Sequence, residues 1–504
     1  MKFIRRVLRA LFSRKMLGRL LFIGACLVTL AALLICEENW RGKRDWDAYV
    51  REHEARGERL DIQALIPPPV PDDQNLAMTP LLAHIYPFNN GEYSGQLAQR
   101  LKVPEVNGKT MPPMVGDLHL GRHFKLEEWE AYFGGDATDW LKKIEPEMDE
   151  ITAASQRPYA RFPLEYEKGC MMPLPGANIL RGFAIDFAFR AEVELHDGRT
   201  DAALADARTI FRLAESEKDE PLLLSQLVRV IIWQYGLQVV WEGLESHRWT
   251  DAQLAALQED LARANFLKGL ALAFRGERAS FNQTMKIAMA DRKIFVAMIT
   301  GNNDKTWETR ALNLLGLVPS GVLYQNMLEV NRFDDKYCFT AVDAEARRVY
   351  PDILRQADQE LADVEHGLPF FGHVIPNWYK WNKVLEAIVV PVLNGVSSKV
   401  AFEQVTTDQA VVACALERYR LANGRFPDSL EKLTPAYLKA VQPDVVNGEP
   451  PHYRLNGDGT YLLYSDGWDG KDHGGKVVLT PESTPKNPRM DIMKSDWVWS
   501  PKPQ

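Results

Sequence analysis

The side chains that could do chemistry cluster most densely in one glycine-rich stretch, Ser465-Asp466-Gly467-Trp468-Asp469-Gly470-Lys471-Asp472-His473-Gly474-Gly475. Hard divalent cations are held by oxygen ligands on flexible loops. Ser465, Asp469 and Asp472, with backbone oxygens, are therefore the candidate ligands of a Ca2+ ion. Asp and Gly also serve the local geometry of a solvated turn, and that reading stands beside the first. Asp117, His119 and His123 form a second group. Histidines four apart share a helix face and can hold Zn2+, but Gly121 lies between them and no third ligand is evident, so a helix start is the expectation. Ser429 and Lys432 have the spacing of a serine–lysine nucleophile pair; Ser429 follows Pro427-Asp428, and N-capping of a short helix accounts for it. Glu277, flanked by Arg275 and Arg278 in an apolar-rich helix, offers a buried ion pair or a polar site, but a charged cluster in mid-helix reads first as a solvated face. No G-x-S-x-G, H-E-x-x-H, C-x-x-C, P-loop or complete G-x-G-x-x-G motif occurs. No catalytic residue and no organic cofactor is assigned.

The elements that must carry these residues are mainly helical. Leu180, Phe183, Ala184, Phe187, Ala188 and Ala191 form one apolar stripe at 3/4 spacing. His196 to Thr200 breaks it, and Ala203, Ala207, Ile210, Phe211 and Ala214 form a second. A third helix is expected from Leu222 to about Glu245, and Thr250-x-x-Gln253 reads as a capping box opening a fourth. The segment AFRAEVELHDGRTDAALADA resembles a tetratricopeptide-type hairpin in its spacing. It covers one repeat with no second copy at a period near 34, so the expectation is an irregular α-hairpin array. Prolines 67, 68, 69 and 71 enforce a polyproline II segment, read as a stiff spacer. Leu126 to Leu141 reads as one helix and Arg157 to Gly176 as an irregular loop. The aromatic-rich connector from Pro369 to Pro391 reads as a docking surface between domains. Further on, Ala401 to Asn423 is an amphipathic helix. His452 to Leu455 and Thr460 to Tyr464 are strands joined by Asn456-Gly457-Asp458-Gly459, a hairpin turn.

Charge and hydropathy place the whole. The chain has 504 residues and a net charge of −8. Seven of its 60 Lys and Arg lie in residues 1–36, which contain no acid. The rest of the chain holds 53 basic against 68 acidic groups, a balance of −15. Phosphate backbones need a concentrated basic face, so a nucleic-acid partner is excluded as an expectation. Leu20 to Cys36 is an uncharged apolar run. With Met16 to Arg19 it reaches the length of a membrane span, and the preceding cations put the N-terminus in the cytoplasm. Leu34-Ile35-Cys36-Glu37-Glu38 offers no small-x-small cleavage site, so an uncleaved anchor is expected, with residues 37–504 across the inner membrane. Asn39 to Gln63 reads as a charged, exposed helix. Of five cysteines, Cys170, Cys338 and Cys414 lie outside the anchor and are too widely spaced for a disulfide framework or metal cluster. At most one pair among them can bridge, and core packing of at least one is expected.

The order ALERYRLANGRFPDSLEKL, YLKAV, PPHYRLNGDGTYLLYSDGWDGKDHGG resembles the globular part of type II secretion pseudopilins. That resemblance implies a long helix packed on a small antiparallel sheet, with an S-x-G-x-D-G loop of the kind that binds Ca2+, which Ser465, Gly467, Asp469 and Gly470 fit. The family's processed apolar helix is absent at this position, and Gly474-Gly475 stands where its later acids would be. The resemblance therefore implies a fold and no secretion role. IPPPVPDDQNLAMTPLLA and the layout of the whole chain resemble membrane-anchored envelope proteins of planctomycete and verrucomicrobial bacteria, a group that supplies no mechanism.

The resulting expectation is a mainly α protein in five parts. They are a basic segment and transmembrane helix (1–36), a charged helix and Pro-rich spacer (37–75), a helical domain with a hairpin array (76–400), a pseudopilin-like α+β unit (401–480) and a tail (481–504). Its expected role is non-catalytic binding or scaffolding, toward a protein or cell-wall partner. The rival is an envelope hydrolase, which an acidic pocket within 76–175 would favour.

Overall fold

The computed structural model describes residues 14–83, 125–133, 137–291, 293–294, 319–367, 393–481, 483 and 489–499. Its longer helices, in chain order, are α1 (Arg14–Ala55), α2 (Leu126–Phe133), α3 (Ala137–Ala154), α4 (Pro175–His196), α5 (Thr200–Glu215) and α6 (Leu223–Glu245). They continue with α7 (Asp251–Leu261), α8 (Phe266–Ala290), α9 (Ser320–Phe333), α10 (Pro351–Gly367) and α11 (Leu393–Asn423). Among the described residues, five short strands, β1 (Val342–Asp343), β2 (Arg348–Val349), β3 (His452–Leu455), β4 (Tyr461–Ser465) and β5 (Trp497–Val498), form two small antiparallel sheets. The chain divides into one unit of Met1–Leu60, Phe281–Phe333 and Glu360–Pro391, and another of Asp61–Ser280, Asp334–Gln359 and Val392–Gln504.

In the first unit, α1 is one continuous helix, where an anchor and a separate exposed helix were expected. Its apolar part is long enough to cross a membrane, and its most apolar window has a mean hydropathy of 2.5 with none of it buried. Past Cys36 the same helix changes role. Trp46 and Tyr49 are buried with Phe281, Met285, Leu323 and Met327. The stretch from Asn39 is thus amphipathic, and it stops at Ala55, ahead of Gly57 in the left-handed region (φ 81°). Asn39 Oδ1 accepts the backbone N–H of Gly321 at 2.7 Å, satisfying a donor at the start of α9. Asn282 and Asn331 exchange amide hydrogen bonds within this unit, one at 2.7 Å.

The second unit contains the expected hairpins. Every residue of the two apolar stripes is buried, α4 packs on α5 and α6, and α5 packs on α6. The capping box of Thr250 and Gln253 opens α7. Helix α6 is also long and apolar enough for a membrane, yet it is 72% buried: it is a core helix. Two expectations change here. Residues 126–141 are not one helix, because α2 ends at Phe133 and α3 begins at Ala137. Pro351 occupies the first position of α10, behind the β1–β2 hairpin. The proline segment is not a free spacer. Polyproline II leaves carbonyls unpaired, and Arg161 Nε donates to the carbonyl of Pro67 at 2.7 Å, while Asn75 and Tyr159 form a parallel bridge.

The expected boundaries at 400 and 480 are not breaks in the fold either. Most of α11 from Val396 to Glu417 is buried on all sides, which only a core position permits. Trp233 Nε1 donates to Thr407 Oγ1 at 3.0 Å, and Gln234 Nε2 donates to Glu403 Oε2 at 2.9 Å. One side of α11 therefore completes the helical array, while Phe402 packs edge-on against Trp497 and Gln409 Nε2 donates to the Trp497 carbonyl at 2.7 Å. Strand β5 lies in the expected tail and completes the sheet order β3-β4-β5. The β3–β4 hairpin has the expected turn, Asn456 N–H donating to Thr460 O at 2.7 Å. Val411, Val412 and Leu416 are buried, and Tyr419 packs edge-on against Tyr437.

Candidate functional site

Helix α6 ends in a Schellman-type cap. The N–H of Arg248 reaches Gly243 O at 2.9 Å and that of His247 reaches Leu244 O at 3.1 Å. The position that glycine usually fills is His247, with φ at 52°. Its ring supplies what glycine lacks: Nδ1 lies 2.9 Å from Glu417 Oε1. Glu417 is only 3% exposed and takes a two-pronged ion pair from Arg420, at 2.7 and 2.6 Å. His247 and Glu417 form one wall of a cleft of about 340 Å3, and Phe426, Tyr461, Arg454 and Trp499 line it as well. Phe426 packs edge-on against Tyr461, 4.9 Å between ring centres. Trp499 is 1% exposed, and among the described residues its indole N–H has no hydrogen-bond partner. A buried, unmatched donor beside a cavity is a place where a ligand oxygen gains a full hydrogen bond.

At the β3–β4 side of the sheet lies the glycine-rich loop. Each sequence-selected ligand has work inside it. Ser465 Oγ accepts from Gly467 N–H at 3.1 Å, and Asp469 Oδ1 accepts from Lys471 N–H at 3.1 Å. Asp472 Oδ1 accepts from Gly474 N–H at 2.7 Å and from the Tyr464 hydroxyl at 3.0 Å; these bonds hold its carboxyl below the usual range. The loop is closed from the chain end. Fully buried Asp496 accepts backbone N–H bonds from His473, Gly475 and Lys476, and faces His473 Nδ1 at 3.1 Å.

The group whose ligand atoms converge within 4.8 Å is His452, Asp466 and Asp472. His452 Nε2 lies 2.7 Å from Asp466 Oδ1, Asn447 Nδ2 donates to Asp466 Oδ2 at 2.8 Å, and the His452 ring stacks on Tyr464. Asp472 was among the sequence candidates; His452 and Asp466 were not. Their signal is the hairpin register, which sets His452 opposite Tyr464, two residues before Asp466. An imidazole in the donor set suits Zn2+ better than Ca2+.

The remaining candidates separate. Lys432 Nζ pairs with Asp428 at 2.7 Å, and Ser429 at its N-cap position makes no cap hydrogen bond but engages Glu431, so no Ser–Lys pair forms. Glu277 is not on a solvated face: its Oε1 accepts the Leu223 N–H at 2.7 Å, at the start of α6, while buried Arg278 pairs with Asp335 at 3.0 Å. No disulfide joins the described cysteines, and Cys338 and Cys414 lie in the core. Asp117, His119, His123 and the 369–391 connector lie outside the described residues. No family model matches the chain, and no curated protein and no solved structure is detectably similar to it.

Proposed function

We propose that the protein is a single-pass, membrane-anchored envelope protein with a non-catalytic binding or scaffolding role. The observation that carries this reading is the bare apolar surface of α1. Leu21, Phe22, Leu27, Val28, Leu33 and Leu34 are each 60% or more exposed, on a helix whose later turns pack normally. Such a surface is costly in water and fits acyl chains. Seven cations before the apolar run support a cytoplasmic N-terminus in the inner membrane. The ligand site of the binding role is the cleft of Trp499, His247 and Arg454. A reporter enzyme active only outside the cytoplasm, fused after Gln504, tests the topology. Activity is expected; a stable but inactive fusion excludes it. Pull-down of the detergent-solubilised chain, compared with a Trp499→Phe variant, tests the cleft as the binding site.

The hydrolase reading draws on His247, whose ring is oriented by a buried carboxylate as a general base would be. Among the described residues no Ser, Thr or Cys hydrogen-bonds to that ring, and the cleft beside residues 155–161 is basic, not acidic. Binding is therefore the reading supported best. Release of soluble fragments from cell-wall material by the wild type, and not by His247→Gln, would reverse the order.

A further inference from the structure

A second cleft, of about 710 Å3, has a different chemistry. One wall is the polyproline segment with Pro67, Pro68 and Val70. The other carries Arg157, Arg161 and Arg212, and Lys218, Glu215 and Asp219 complete the set of charges. Four cations thus meet two carboxylates, in a body whose charge balance beyond residue 36 is −15.

The surplus is larger than this count suggests. Glu215 is already engaged by buried Arg229, at 2.6 Å. Arg157 is oriented by the Asn75 carbonyl at 2.8 Å, and Arg161 by that of Pro67; carbonyls position a guanidinium without cancelling its charge. The Glu220 carboxyl near Arg161 is buried, bonded to the Tyr166 hydroxyl at 2.5 Å and pushed up to about 7 by burial, so it neutralises Arg161 only in part. Arg212 is half-buried, and its side chain makes no hydrogen bond or ion pair with any described residue. Burial and the neighbouring Arg208 lower its pKa and outweigh the opposing pull of the Asp260 carboxylate. Arg208 itself is satisfied by Asp260 at 2.6 Å.

An unpaired guanidinium recognises oxyanions through parallel N–H···O bonds. The proline wall and half-exposed Tyr159 offer a rigid, apolar flank beside it. We infer that this cleft binds a small organic oxyanion, a phosphate or carboxylate head on a flat or apolar body, with Arg212 as its principal contact. The site is distinct from the Trp499 cleft and does not depend on the role proposed for it.

The test uses the full chain in neutral detergent with four probes: inorganic phosphate, phenyl phosphate, benzoate and benzylamine. Isothermal titration is expected to give saturable binding of phenyl phosphate, tighter than inorganic phosphate because only the former uses the proline wall. Benzylamine should not bind. Phenyl phosphate outranking benzoate assigns the head to phosphate, and the reverse order to carboxylate. Arg212→Gln should weaken the better anion at least tenfold while the circular dichroism spectrum is unchanged. If that variant does not fold, Arg212→Lys, which keeps the charge but loses the fork, should weaken it several-fold. Absence of saturable binding by all three anions, or wild-type affinity in the folded Arg212 variant, overturns the inference.

Discussion

Gly42 of α1 and Gly321 of α9 meet backbone to backbone: a methyl group on Gly42 would overlap the Gly321 carbonyl, and one on Gly321 would overlap the carbonyl of Glu38. Neither obstacle is a flexible side-chain tip, so the helices must separate to admit even alanine. Gly321→Ala is expected to cost about 1–3 kcal/mol, the usual range for overpacking. A lower melting temperature of the full chain in detergent checks this. An unchanged midpoint would mean that the helices slide apart freely and that the crossing contributes little.

Phe187 is fully buried in the stripe of α4. Phe187→Asp would bury a carboxylate in the apolar stripe, where the nearby Arg190, 5.2 Å from the ring centre, is already paired with Asp206, costing several kcal/mol by order of magnitude. The variant should be unfolded or sharply destabilised in urea titration, whereas Phe187→Leu should lose far less. Equal midpoints for Phe187→Asp and the parent would remove the stripe from the core.

The periodic parts of this fold were legible because periodicity reports burial directly. Both stripes, the capping box at Thr250 and the Asn456–Gly459 hairpin are where local chemistry put them. What the sequence concealed is long-range. Helix α11 reads as one-sided, because Glu403, Gln404 and Thr407 look like a solvent face; each is buried against a polar partner on a distant helix. Strand β5 is two residues long, too short for any alternation to register. In the site, the loop's Asp and Gly content was visible, but His452 enters it only through strand pairing, and Asp496 from a stretch with no motif.

His247 holds a backbone conformation that glycine adopts at no cost. His247→Ala keeps the unfavourable Cβ and removes the bond to Glu417. His247→Gly removes both, so it should be the more stable variant by about 1 kcal/mol. Thermal melts of the two variants side by side provide the check. If alanine proves as stable as glycine, the left-handed turn is relaxed in solution.

Burial raises several carboxyls of the second unit: Glu217 and Glu403 to about 8, and Asp186, Glu220 and Asp334 to about 7. Their unfolded values are near the ordinary 3.9 to 4.3. Between those limits the folded chain holds more protons than the unfolded one, so the slope of unfolding free energy against pH is negative. The contribution of these groups is fully present below about pH 4 and falls as pH rises through 7 to 8. Urea midpoints should therefore be higher at pH 5.5 than at pH 8.5. Glu217→Gln, which cannot ionise, should flatten part of that decline. A midpoint that rises over the same interval would show these acids ionised in the native state.

Two donor sets compete for a cation at the loop from Ser465 to Gly475. Ser465, Asp469 and Asp472 are oxygen ligands of the kind Ca2+ takes, while His452, Asp466 and Asp472 converge within 4.8 Å and combine an imidazole with carboxylates. Asp472 is common to both, so Asp472→Asn should abolish any metal effect without distinguishing them. The pairs Asp469→Ala and His452→Ala do distinguish them. A cation bound only by the folded state raises stability by RT ln(1 + [L]/Kd), about 2.7 kcal/mol at a hundredfold excess over Kd. The chain is melted in chelator, in Ca2+ and in Zn2+. The geometry favours a Zn2+ shift that survives Asp469→Ala and disappears in His452→Ala. A Ca2+ shift lost in Asp469→Ala would restore the oxygen set. Identical midpoints in all three solutions would leave the loop held by its own hydrogen bonds, with Asp496 as the internal anion around which its backbone N–H groups close.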